Sequence, residues 1–109
     1  MFEKFKGTIR EFRKLFGTER SSHWRKTRNL FVEKNPLCAC CGRTKGLHVH
    51  HIVPFQLDPR LELIFSNLIT LCADCHLILG HCRWWQSWNE TVVEDATYML
   101  KKIDNRPSK

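Results

Sequence analysis

The sequence has no apolar run approaching the roughly 18 residues that a membrane-crossing helix needs, which excludes a helical membrane span. It also has no internal repeat, no low-complexity tract and no Gly/Ser linker, so its 109 residues are expected to form one domain rather than two tethered ones. The N-terminus lacks the compact apolar stretch of a secretory signal. A cytoplasmic location is therefore expected, with the cysteines as thiolates rather than disulfides. Acidic residues are scarce, 11 against 18 Lys and Arg, giving a net charge of +7 before histidine is counted. Hydrophobic residues reach 42%, which suits a globular chain and not a disordered one. What the chain has in excess for its size is cysteine and histidine, six of each. A domain this small has a thin core, and metal ligation is one way to stiffen it.

The charge is unevenly placed. Residues 1–34 carry ten Lys/Arg and four Asp/Glu, a balance of +6, whereas residues 35–90 balance to zero and residues 91–109 add +1. A basic N-terminal segment beside a neutral centre suggests a surface that holds a polyanion, with Arg25, Lys26 and Arg28 as phosphate contacts there and Arg83 as another further on. Phe2, Phe5, Ile9, Phe12 and Phe16 repeat at three- and four-residue spacing, the stripe of an amphipathic helix that packs on its own domain. A second helix starts near Ser21 or Ser22 as cap and ends before Pro36. Near the C-terminus, Thr91 and Glu94 have capping-box spacing, and Val92, Ala96, Met99, Leu100 and Ile103 form a helical apolar stripe. Between these helices, Leu47 to Val53 alternates as a short strand and residues 55–67 read as loop. Leu68 to Cys72 is a second strand, followed by a short helix from Ala73 to Leu79 stopped by Gly80. The expected class is α+β: a small zinc-stapled core over 38–81, a basic helical segment over 1–34, and a Trp-rich stretch with a helix over 82–109.

Cys38-Ala-Cys-Cys41 and Cys72-Ala-Asp-Cys75 are two C-x-x-C pairs with 30 residues between them. Two thiolates on each of two tight turns complete a tetrahedral sulfur shell, with zinc as the expected occupant and iron as its competitor. Four protein ligands leave no open position, so this site is structural. Cys40 and Cys82 remain as free thiols, and the surroundings lack the βαβ pattern of a thioredoxin-type redox pair.

The histidines read differently. His50 and His51 are neighbours on a strand and point to opposite faces, so one can ligate a metal while the other stays free as a neutral base. His76 leads off the short helix and can lie beside one of them. His48 shares the face of His50 and is expected at the surface, with assistance to the metal as its alternative, and His81 is a third ligand, a phosphate contact or a helix cap. Trp84, Trp85 and Trp88 are read first as core, covering the thin sheet, and second as a stacking surface for a nucleic-acid base.

The order C-x-x-C-G, V-H-H-I-V-P, N-L-I-T-L-C-x-x-C-H, running from Cys38 to His76, resembles the HNH endonucleases with their ββα-metal (His-Me finger) unit. The flanking basic and Trp-rich segments look like those of small phage-type members. The resemblance implies a metal-dependent endonuclease that hydrolyses DNA phosphodiesters, with His51 as general base and Asn67 orienting it. It further implies that His50 and His76 hold a catalytic Mg²⁺, Mn²⁺, Ni²⁺ or Zn²⁺ ion, that DNA is the partner, and that the chain is a monomer or weak dimer. The competing reading is a non-catalytic zinc-stapled nucleic-acid-binding domain, which needs only the cysteines and the basic arm. A ring-finger domain is excluded, because its interleaved pattern needs about eight ligands for two structural metals.

Overall fold

The computed structural model describes residues 20–105, so the stripe of Phe2 to Phe16 lies outside the described residues. Helix α1 spans Trp24–Lys34, strand β1 Leu47–His51 and strand β2 Leu68–Cys72. Helix α2, Ala73–Cys75, runs directly into a π-helical turn, His76–Gly80, and helix α3 spans Val92–Asp104. Two 3₁₀ turns, Pro59–Leu61 and Phe65–Asn67, lie within the long β1–β2 connection. This is a small α+β unit, as expected, and among the described residues no helix is long and apolar enough to cross a membrane.

The strands pair antiparallel, with Leu47 opposite Cys72, Val49 opposite Thr70 and His51 opposite Leu68. Every residue of β2 is buried, so the small sheet has a core on both faces. On one side Phe31 of α1 packs with Val49 and Leu68. On the other, Ile69 and Leu71 pack with Val92 and Ala96 of α3 and with Cys38, Cys40 and Cys72. Because strand side chains alternate between faces, the same register sends His50 and His51 into different surroundings.

Five local features depart from the sequence expectations. The residue before α1 is His23, which makes no side-chain cap; the Ser21 hydroxyl instead accepts from the His23 amide at 3.1 Å. Strand β1 ends at His51, two residues before Val53, because Asn67 takes over the ladder. Its backbone carbonyl accepts from the Ile52 amide at 2.8 Å and its side-chain oxygen accepts from the Val53 amide at 2.8 Å. The Thr91–Glu94 capping box does not form: Thr91 Oγ1 donates to Asp95 at 3.1 Å, and Asn89 links Asp95 (2.8 Å) to the Leu79 carbonyl (3.1 Å). Only Val92 and Ala96 of the α3 stripe are buried; Met99 and Ile103 are exposed.

The fifth feature is the π-helical turn. Its signature bond runs from the His81 amide to the His76 carbonyl, a five-residue step, at 3.1 Å. In an α-helix the residue lying one turn beyond His76 would be Gly80. The extra residue of the π turn puts His81 in that place instead, and such turns are frequent at functional sites.

Candidate metal centres and active site

The cysteine turn is held by backbone bonds. The Cys38 amide donates to the Arg43 carbonyl (2.9 Å), and the Gly42 amide donates to the Cys38 carbonyl (2.9 Å), with Gly42 at a φ of +80° that only glycine adopts readily. Cys72 ends β2 and Cys75 lies on α2. The sulfurs of Cys38, Cys41, Cys72 and Cys75 all lie within 4.8 Å of one another, and Cys41 and Cys72 are 3.7 Å apart. A tetrahedron with bonds of about 2.3 Å has edges of about 3.8 Å, so the donor set fits a thiolate-bound ion. Burial alone would raise the Cys38 thiol, but the amides of Cys41, Cys72 and Cys40 outweigh it and bring the pKa down to about 7. Burial and then the neighbouring sulfurs of Cys72, Cys38 and Cys40 push Cys75 far upward, the like-charge crowding that a bound dication relieves. Cys40 is buried against this group without belonging to it, and Cys82 is exposed.

The second cluster comprises His50, His76 and His81, which offer one ring nitrogen each within 4.8 Å of one another. His81 Nδ1–H donates to the Ser87 carbonyl at 2.7 Å, because a carbonyl can only accept, and this leaves a lone pair on His81 Nε2. That nitrogen lies 3.2 Å from His76 Nε2. On its other side, His76 Nδ1 shares a proton with His48 Nδ1 at 3.0 Å, so His48 is half-buried and bonded rather than at the surface as expected. His50 Nε2 is buried with no hydrogen-bond partner among the described residues. An orphaned buried nitrogen beside His76 Nε2 and the His81 Nε2 lone pair fits a cation ligand. Burial, with the adjacent imidazoles adding to it, pushes His50 down to about 3 and His76 down to about 4, so both are neutral at pH 7, the form that ligates.

Gly80 sets the position of His50. A Cβ at that residue would lie 3.1–3.3 Å from three atoms of the His50 ring, tighter than ordinary contact. Gly80→Ala should therefore tilt His50 and weaken divalent-ion binding at the histidine cluster by roughly tenfold, read by calorimetric titration, while circular dichroism stays unchanged. Unchanged affinity would show that the ring has room to move.

His51 occupies the other face of β1. Its Nε2–H donates to the Glu62 carbonyl at 3.0 Å, which fixes the tautomer and leaves Nδ1 as the basic nitrogen. The ring lies 4.5 Å from Trp24. Burial pushes its pKa down to about 4; the Glu62 carbonyl opposes that and Arg20 reinforces it. Asn67 makes no side-chain hydrogen bond to His51, contrary to the direct orienting contact expected. Its amide group donates to the carbonyls of Val53 (3.1 Å) and Leu61 (3.2 Å), so it pins the loop on which Glu62 stands. Glu62 escaped the sequence reading because its backbone carbonyl makes the contact, and no residue type signals that.

A cleft of about 590 Å³ along the edge of β1 opens onto His48, His50, His51, His76 and His81 together. Arg28 lines it, with Arg20, Trp24, Trp85 and Gln86, whereas Arg25, Lys26 and Arg83 do not. Arg28 is partly engaged, one guanidinium nitrogen donating to the Leu47 carbonyl at 3.3 Å. The core reading fails for Trp84, 65% exposed, and Trp85, 53% exposed, while Trp88 is half-buried. After the π turn, Cys82 and Arg83 take φ values of +53° and +71°, which reverses the chain, so helical spacing does not apply to the residues that follow.

Comparison with curated proteins and with solved structures gave no significant match. Both ligand clusters fall within one family match: residues 38–81 fit the model of the HNH endonuclease family, the family that the sequence resembles.

Proposed function

We propose that the protein is a metal-dependent DNA endonuclease. A phosphodiester resists hydrolysis because its charge repels nucleophiles and its alkoxide leaves poorly. The observation that carries the reading is one cleft holding both a lone-pair imidazole, His51, and a separate set of three converging imidazoles with an orphaned nitrogen on His50. His51 Nδ1 accepts the proton of the attacking water, and the Glu62 carbonyl holds the ring while it does so. His50, His76 and His81 would hold a divalent ion, and the bound ion would supply Lewis-acid stabilisation of charge on the phosphate and the leaving oxygen. His48 orients the ring of His76 through the Nδ1–Nδ1 hydrogen bond, and the Ser87 carbonyl fixes the tautomer of His81. Asn67 serves the site by positioning the Glu62 loop. The four cysteines carry a structural zinc ion that staples the core. Exposed Arg25, Lys26 and Arg83 hold phosphates outside the cleft without reading sequence.

Incubating supercoiled plasmid with the zinc-loaded protein and added Mg²⁺, Mn²⁺, Ni²⁺ or Zn²⁺ should produce nicked or linear DNA. The protein should bind DNA but leave it intact when the added ion is withheld. Binding without cleavage under every one of those ions would favour the zinc-stapled binding domain instead.

A further inference from the structure

We propose that Trp85 is a stacking platform for an unpaired DNA base beside the histidine cluster, so that the site favours a single strand over a continuous duplex. The proposal rests on the nuclease reading and specifies its substrate.

The turn that carries Trp85 is fixed rather than loose. The Arg83 amide donates to the Leu77 carbonyl (2.8 Å), the Trp84 amide to the His81 carbonyl (3.0 Å) and the Ser87 amide to the Trp84 carbonyl (2.9 Å). These bonds hold two consecutive non-glycine residues at positive φ, a conformation that persists only where its surroundings enforce it. The result is an indole whose centroid lies 5.1 Å from His76 and 4.9 Å from His81, yet which remains 53% exposed. Neither imidazole lies parallel on it, the interplanar angles being 74° and 56°. The indole therefore offers open apolar surface at the edge of the cleft, and the more exposed Trp84 adjoins it in the chain.

Charge selects the occupant. Arg20 and Arg28 line the same cleft, and among the described residues no carboxylate does. An aromatic ring about 5 Å from two of the clustered imidazoles, in a cleft with cationic lining, fits a nucleotide whose phosphate lies at the ion site of the histidines and whose base lies on the indole. A paired base inside a duplex has both faces covered by its neighbours and offers none to Trp85, whereas an unpaired base does. Such stacking tolerates any base, because every base has a π face.

The test uses the metal-loaded His51→Ala protein, which does not turn over its substrate, and a fluorescein-labelled oligonucleotide presented as a single strand and as a duplex. The single strand should bind more tightly and quench tryptophan fluorescence. Trp85→Ala should weaken it roughly tenfold or more, with a much smaller loss on the duplex, and Trp85→Phe should restore most of the affinity. A calorimetric ion titration of Trp85→Phe should match that of the parent, which separates stacking from damage to the imidazoles. Equal losses on both DNA forms, or no loss on either, would overturn the proposal. The two readings fail separately. A wild type that never cleaves but binds the strand through Trp85 defeats the nuclease reading alone. An active wild type whose Trp85→Ala form binds and cuts both DNA forms as before defeats the platform alone.

Discussion

Cys72→Ser should leave the chain without a cooperative fold. Cys72 closes β2, is buried, and sits 3.7 Å from Cys41 in the four-sulfur cluster. Its neighbours Cys38 and Cys40 belong to the same buried core as Ile69, Leu71, Val92 and Ala96, so the cluster occupies one side of the sheet. Structural zinc contributes roughly 10–16 kcal/mol of apparent binding free energy in zinc-finger peptides. The whole stability of a natural domain is only about 5–15 kcal/mol. Losing one ligand therefore removes a contribution comparable with everything else that holds the fold. Thermal denaturation followed by circular dichroism should show a broad, weak transition for Cys72→Ser, and the same for wild type stripped by a strong chelator. Cys82→Ser, on an exposed thiol outside the cluster, should melt like wild type. A sharp, wild-type transition for Cys72→Ser would mean that the core stands without the metal.

His51→Ala should lower DNA cleavage by about 10²–10⁴-fold, the range that a positioned proton acceptor supplies. The loss should come with little change in cation binding. His51 faces the Trp24 and Phe31 side of the sheet, while the cation ligands converge on the other. The substitution also leaves the buried Glu62 carbonyl without its donor, at about 1–3 kcal/mol, a loss smaller than that of a structural metal ligand, so the fold should survive. Asn67→Ala tests the positioning role. It removes the bonds to Val53 and Leu61 that hold the Glu62 loop, so cleavage should fall together with melting temperature, unlike the selective loss in His51→Ala.

Much of this site is legible along the chain, and the parts that are not share a physical reason. The two C-x-x-C pairs announce their cluster because ligand spacing is local to two tight turns. Strand β2 runs from Leu68 to Cys72 as expected, and alternation separates His50 from His51. The role of His81 was ambiguous because sequence spacing assumes 3.6 residues per turn, and the π turn changes that count by one residue. His48 reads as a surface residue until β1 and the π turn are packed together and its ring meets His76. The tryptophans read as core because their spacing imitates a helix, and only the two positive-φ residues before them reveal otherwise. Asn67 misled because its side chain serves backbone groups, a task that any loop asparagine can perform. Periodicity and ligand spacing therefore survive translation into structure here, while contacts made through backbone carbonyls and irregular turns do not.

The most direct test of the central claim is a side-by-side plasmid assay of wild type and His51→Ala, each loaded with structural zinc and titrated with Mg²⁺ or Mn²⁺. Wild type should nick the plasmid at a rate that saturates with the added ion. His51→Ala should bind the ion equally well and leave the DNA supercoiled. Nicking by His51→Ala at the wild-type rate, or by wild type with no added ion, would contradict the account.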